Sequence, residues 1–315
     1  MKYFLIAGEA SGDLHGANLM HSIKTLDAHA AFDFYGGDLM QAQGGTLLKH
    51  YSEMAFMGFV EVLANLQTIN QNLTACKAAI LKAQPDVLVL IDYPGFNLRI
   101  AAYAKSIGIK VSYFISPKIW AWNQGRVHKI KKVVDQMLCI LPFEVDFYKK
   151  FGMEVQYVGN PLKDAIANYT FQQDFIAANN LPQKPIIAIL PGSRKMELLN
   201  ILPTMLAVQN HFPNHQFIVA AAPGLPASFY EQFNLAGAKL LFNCTYDILA
   251  NAELAMVTSG TATLETALLN VPQVVCYKAN ALSVFIARLL VKIKYISLFY
   301  FDAIKTEGDE RFVRY

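Results

Sequence analysis

The chain of 315 residues is poor in charge, tryptophan and cysteine, and each scarcity excludes something. Charged residues make up 16% of it and the net charge is +3, too small an excess to mark a nucleic-acid surface, so no nucleic acid is expected as a partner. The four cysteines (Cys76, Cys139, Cys244, Cys276) lie far apart with no C-x-x-C pair. Buried free thiols in a reducing, cytoplasmic compartment fit them better than a disulfide framework or a thiolate metal site. No run of 18 uncharged apolar residues occurs, so no membrane span is expected. Glu9 and Asp13 interrupt the apolar start, so it does not read as a signal peptide. No D-x-D motif and no His/Cys cluster at metal-ligand spacing is present, and no metal or other cofactor is expected. G-x-x-x-x-G-K-[ST] and a post-strand G-x-G-x-x-G are missing too, which argues against an NTPase or a dehydrogenase.

Apolar residues, by contrast, are plentiful at 54%. They fall in short continuous runs: YFLIAG, FDFYGG, DVLVLIDYP, KVSYFI, QMLCIL and VQYVGNP, then PIIAILPGSR, HQFIVAAAP, AKLLFN, AELAMVTSG and PQVVCYK. Continuous runs predict strands buried on both faces, and their alternation with helical stretches predicts parallel, doubly wound sheets. The expected fold class is therefore α/β, with two Rossmann-like domains facing one another across a cleft. The polar segment YTFQQDFIAANNLPQKP separates the two series. It sets a first domain at 1–165, a linker at 166–184, a second domain at 185–298 and an atypical, charge-rich tail at 299–315.

Chemistry gathers where strands end. The first strand, Tyr3 to Ala7, runs into Gly8, Glu9, Ala10, Ser11, Gly12 and Asp13. Such a turn is either a plain strand-to-helix connection or a site at the carboxyl edge of a sheet, where α/β proteins bind ligands. In the second half, one strand ends at Pro191-Gly192-Ser193-Arg194 before a helix. Free N–H groups at a helix start favour an anion, and Arg194 adds a planar cationic fork. A Gly-Ser turn with a solvated arginine is the structural alternative. Another strand ends at Val257, and Ser259, Gly260, Thr261, Ala262 and Thr263 open a helix able to cradle a diphosphate. One turn on, Glu265 could take two ribose hydroxyls; equally, Thr261 or Thr263 could be an N-cap and Glu265 part of its capping box. Asp92 ends the strand VLVLID and reads either as a general base or as a carboxylate capping the next turn, which Pro94 favours.

These motifs carry a resemblance. LPGSR with SGTATLETAL resembles the C-terminal half of a GT-B type inverting glycosyltransferase, and the whole ordered set resembles the lipid-A-disaccharide synthase family. That set comprises Gly8–Asp13, the M-G-F-x-E-V segment Met57–Val62, IDYPGFN at Ile91–Asn97, SPKIWAWNQGR at Ser116–Arg126, the L-P-F-E segment Leu141–Glu144 and Val158–Pro161. The resemblance implies transfer of 2,3-diacylglucosamine from UDP to the 6-hydroxyl of 2,3-diacylglucosamine 1-phosphate, with inversion, giving the β-1,6 disaccharide 1-phosphate of lipid A biosynthesis and UDP. It implies catalytic roles for Asp92, as base, and Arg194, as a brace for the leaving diphosphate. It places Gly192, Ser193, Arg194, Ser259, Gly260, Thr261, Ala262, Thr263 and Glu265 on the UDP-sugar donor. It places Glu9, Ser11, Gly12, Asp13, Asn97, Ser116, Trp122 and Arg126 on the acceptor or sugar side, with Glu9 a competing base. His15 reads as a packed helix residue. Many members have an acid where this chain has Gly95, so no catalysis is assigned there.

Amphiphilic substrates imply a peripheral visit to the inner membrane surface, and a homodimer is compatible with the pattern. Two segments could serve that visit or simply fill a core: MAFMGFVEVLANL at 54–66, and a stripe of Leu282, Ile286, Leu289, Ile293 and Ile296. A third, Trp120 and Trp122 beside Lys118, Arg126, Lys129, Lys131 and Lys132, reads either as a lipid interface or as a solvated basic helix face. The resemblance weakens after Leu298, where the family continues with Pro-Asn and an A-G-R-x-V-x-E-L-x-Q-like segment and this chain reads FYFDAIKTEGDERFVRY. Two alternatives follow. One is a truncated, weak or inactive homologue that only binds UDP-sugar or membrane; the other is a different GT-B enzyme, such as a UDP-N-acetylglucosamine epimerase.

Overall fold

The computed structural model describes residues 1–54, 65–222 and 224–277, and the Trp122 side chain is not among the described parts. Most of the 54–66 apolar stretch, the 282–296 stripe and the 299–315 tail lie outside the described residues. The chain divides into two compact units, with the boundary between Pro161 and Leu162.

The first unit is built on strands β1 (Lys2–Ala7), β2 (Ala31–Gly36), β3 (Thr46–His50), β4 (Val87–Ile91), β5 (Lys110–Phe114), β6 (Gln136–Cys139) and β7 (Gln156–Tyr157). They form one sheet in the order β3-β2-β1-β4-β5-β6-β7, every pairing parallel. Phe4, Leu5, Ile6, Leu88, Leu90 and Ile91 are fully enclosed, as the continuous apolar runs require. On one face Leu5, Ala7, Phe34, Val89, Ile91 and Phe114 meet Ala17 and Met20 of the helix Ala10–Leu26. The edge strand β3 is absent from the runs read in the sequence because its residues are only partly buried or exposed.

The second unit holds β8 (Ile186–Leu190), β9 (Gln216–Ala220), β10 (Lys239–Leu241), β11 (Ala252–Thr258) and β12 (Gln273–Cys276), ordered β10-β9-β8-β11-β12 and again parallel throughout. The residues leading into β8 are tied to it. Phe175, 1% exposed, packs with Ile186, Ala188, Ile218, Leu249 and Val257. The Tyr169 hydroxyl and the Gln172 N–H both donate to buried Asp247.

In each sheet the strand order reverses at one place, between β1 and β4 and between β8 and β11. Loops leaving the carboxyl ends of such a strand pair diverge to opposite faces and leave a crevice. All four helix starts singled out in the sequence follow these four strands.

Candidate active site

At the first crevice, the loop after β1 carries Gly8 and Glu9 into the helix Ala10–Leu26. The loop after β4 carries Asp92 and Tyr93 into the helix Pro94–Ser106. The two loops touch: a Cβ added at Gly8 would lie 2.3 Å from the Tyr93 ring, so only glycine lets that ring lie flat on the β1 turn. Burial pushes the Tyr93 phenol up, and the nearby charge of Glu9 pushes it further. Ser11 sits partly buried in the first helical turn. Gly12 allows that turn to approach Ala7, since a Cβ added at Gly12 would fall 3.2 Å from the Ala7 Cβ.

Asp92 and Tyr93 both have left-handed backbones, φ 45° and 46°, and Ile115, at the end of β5, has φ 65°. Each such non-glycine residue costs on the order of 1–3 kcal/mol and persists only where its surroundings impose it. Here the Asp92 carbonyl accepts from the Asn97 amide (2.9 Å) and from the Tyr113 hydroxyl, while the Asp92 N–H donates to Phe114 (3.1 Å). Asn97, fully buried, also reaches the Ile6 and Ile91 carbonyls at 3.5 and 3.3 Å, so it clamps the ends of β1 and β4 together. Burial drives the Tyr113 phenol well up; Asp92 adds to the rise and Arg126 opposes it. The charges of Asp92 and Arg126 thus act in opposite directions on one hydroxyl. Tyr113, which holds the Asp92 turn through its hydroxyl, is a residue the sequence did not single out.

Other residues expected here have structural partners. Asp13 is 3% exposed, and its two oxygens accept from the N–H groups of Gly37 (2.7 Å), Leu39 (3.0 Å) and Met40 (3.1 Å), bracing the loop after β2. His15 is buried and held neutral, its pKa pulled to about 4 by burial. Ser116, 2% exposed, shares a hydrogen bond of 2.9 Å with the Tyr148 hydroxyl. Beside it Glu144, 1% exposed, accepts from Trp120 Nε1 (3.3 Å) and the Leu141 N–H (3.1 Å). Burial pushes the Glu144 carboxyl up to about 7 against these hydrogen bonds. Trp120 is therefore an interior residue, and its expected place at a lipid interface is corrected: its N–H needs the buried acid. Trp122 ends the short helix Ile119–Trp122, and Arg126 closes the next turn. Lys129, Lys131 and Lys132 are exposed on the helix Val127–Val133, which buries Val127 and Ile130.

At the second crevice, Gly192 follows β8 with φ 102°, a backbone that glycine accommodates and other residues resist. Ser193 leads to Arg194, the N-cap of the helix Lys195–Leu206, whose guanidinium is 42% exposed and pairs with Glu197 at 3.1 Å. After β11 come Ser259 and Gly260, the N-cap of the helix Thr261–Leu268. Neither N-cap makes a side-chain cap bond, and at the second helix the Thr263 N–H turns back to Gly260 O at 3.2 Å. A Cβ at Gly260 would meet nothing within 4 Å, so the backbone there is open to close approach. Thr263 is fully buried and its hydroxyl donates back to Gly260 O at 2.7 Å; its side chain holds the turn, and Thr261 and Ala262 carry the first N–H groups. Glu265, partly buried, accepts from the Tyr246 hydroxyl at 3.0 Å; burial raises its carboxyl and that bond lowers it. Tyr246 was also missed from sequence. Among the described residues, no three His, Cys, Asp or Glu side chains form a metal-binding group.

This arrangement, two switch-point crevices lined by the quoted motifs, has relatives. A model of the family described as lipid-A-disaccharide synthetase matches residues 3–301. The chain belongs to this family. A lipid-A-disaccharide synthase of Trichlorobacter lovleyi is 39% identical over 306 residues, 94% of this chain and 80% of that protein. One from Coxiella burnetii is 39% identical over 299 residues, 93% of this chain and 80% of that protein. Among solved structures, UDP-GlcNAc 2-epimerase of Neisseria meningitidis bound to UDP-GlcNAc aligns with TM-score 0.63 at 12% identity, over 97% of this chain and 91% of that one. The S. aureus MnaA structure with UDP aligns with TM-score 0.65 at 11% identity, over 98% and 88%. These structures establish the two-unit GT-B fold, and the epimerase alternative rests on that likeness of fold alone.

Proposed function

We propose that the chain catalyses the glycosyl transfer of lipid A biosynthesis. A 2,3-diacylglucosamine leaves UDP for the 6-hydroxyl of 2,3-diacylglucosamine 1-phosphate, with inversion. One observation carries the reading: in a member of this family, the motif loops lie at the carboxyl ends of β1, β4, β8 and β11, the two places where an α/β sheet opens for a ligand. Asp92 is the base. As the acceptor oxygen attacks the anomeric carbon, Asp92 takes its proton, while the bond to the diphosphate breaks and its electron pair leaves with UDP. Arg126, whose charge acts on the same Tyr113 hydroxyl as that of Asp92, lies on the acceptor side. Arg194, released from Glu197, and the N–H groups opening the helices after β8 and β11 take the charge that grows on UDP. Glu265 receives the ribose. Gly192, Ser193, Ser259 and Gly260 give the diphosphate backbone to lie on. On the acceptor side, Glu9 and Ser11 face the sugar, with Gly12, Asp13, Asn97 and Ser116 shaping the loops that present it.

The protein visits the inner membrane surface from the cytoplasm, where both substrates have their acyl chains. The exposed Lys129, Lys131 and Lys132 would meet anionic headgroups there. Among the described residues no helix is long and apolar enough to cross a membrane.

The test is a transfer assay with both substrates in detergent micelles. The unmodified chain forms disaccharide; Asp92→Asn and Arg194→Ala each lower the rate by about 100-fold or more while circular dichroism stays unchanged. UDP binding without any disaccharide would leave a nucleotide-binding homologue and overturn the transferase reading.

A further inference from the structure

The second unit contains a hydrogen-bonded aromatic pair that the reaction described above does not use. Tyr246, on the helix Thr245–Ala250, donates to Glu265 Oε1 at 3.0 Å. Its ring stands edge-on to Tyr169, centroids 5.1 Å apart at 75°. The Tyr169 hydroxyl in turn donates to Asp247, 4% exposed, which also accepts from the Gln172 N–H at 2.8 Å. Tyr246 is therefore fixed from behind, and its hydroxyl is presented to the carboxylate from a rigid backing.

We infer that Tyr246 is a positioning residue for nucleotide recognition: it fixes the Glu265 carboxylate as a two-oxygen acceptor for the 2′- and 3′-hydroxyls of a ribonucleoside diphosphate. The inference rests on the reading of Glu265 as the ribose ligand. A glutamate on a flexible stem presents its oxygens in many orientations, and a phenol bonded to one of them selects a plane. That oxygen has a second lone pair, so the bond leaves both oxygens able to accept from a vicinal diol. The same bond sustains charge. Burial pushes the Glu265 carboxyl up, and the Tyr246 hydroxyl pulls it back toward the ionised form that accepts two O–H groups. Without the phenol, burial acts unopposed, and the acceptor is both less ordered and more readily protonated.

Calorimetric titration of the full chain with UDP and with 2′,3′-dideoxy-UDP, which lacks both hydroxyls, tests this. The unmodified protein prefers UDP by about ten-fold or more, as hydrogen bonds to a charged group require. Glu265→Gln erases the preference. Tyr246→Phe, which keeps the ring against Tyr169, weakens UDP about five-fold, barely changes 2′,3′-dideoxy-UDP, and loses more of the preference on mild acidification than the unmodified protein does. Equal weakening of both ligands, or no change, in Tyr246→Phe while Glu265→Gln still erases the preference would overturn the role of Tyr246 and leave the ribose reading standing. A preference that survives Glu265→Gln would overturn both. Thermal unfolding of each variant separates loss of discrimination from loss of fold.

Discussion

Three backbone N–H groups converge on Asp13, and at this site the motif and the contacts describe different tasks. The G-E-x-S-G-D turn suggests a sugar ligand, yet the carboxylate is buried and braces the loop after β2. Asp13→Ala would leave those donors without their acceptor. It is expected to cost about 2–4 kcal/mol in urea unfolding, at about 1–3 kcal/mol for each buried group left unmade and allowing for partial rescue by water. A residue that only touched substrate would leave unfolding unchanged. Asp92 is the opposite case. Its left-handed backbone is one that Asn also tolerates, so Asp92→Asn removes the charge and keeps the turn, whereas a β-branched residue there would add strain. Tyr113 and Tyr246 were not legible because nothing local marks them. Tyr113 meets the Asp92 carbonyl 21 residues away and Tyr246 meets Glu265 19 residues away, and only the folded sheets bring these partners together.

At the scale of elements, the continuous apolar runs located the strands that are buried on both faces, because there burial and β-propensity agree. β3 escaped because an edge strand buries little, and Thr46–His50 carries no such run. The motif loops were legible as strand-to-helix turns, but their pairing was not: strand order decides which loops share a crevice, and order is not written in any one segment. Gly8 shows what that pairing demands. Gly8→Ala would push a methyl group into the Tyr93 ring, whose hydroxyl bonds the Met54 carbonyl at 2.8 Å. The ring must move, and the Asp92–Tyr93 turn with it. The expected result is a destabilisation of about 1–3 kcal/mol, with transfer activity falling further than the fraction folded. Parallel measurement of both quantities checks it, and proportionate losses would show that the contact serves stability alone.

For the whole molecule, two buried titrating groups of the first unit oppose one another. His15 falls from 6.5 to about 4 on folding, so the unfolded chain binds the extra proton and stability drops as pH falls from 6.5 toward 4. Glu144 rises from 4.5 to about 7, so the folded chain keeps its proton longer and stability drops as pH rises from 4.5 toward 7. Each full swing is worth about 3 kcal/mol. Between 4.5 and 6.5 the two slopes cancel, and the unfolding free energy is expected to be nearly flat. Glu144→Gln removes one slope, and stability should then climb with pH across that window; urea titrations at several pH values check it, and an unchanged flat profile would contradict the assignment. The anchoring of Asp247 bears on how this chain could have been assembled from parts. Its carboxylate draws donors from Tyr169 and Gln172, and Phe175 fills the adjoining core. A recombination event that exchanged the second half between relatives at Pro185 would separate a buried acid from its donors and a core from its phenylalanine. Exchanges between Pro161 and Leu162 carry the whole set across, so that junction is where inheritance could pass on the second unit intact.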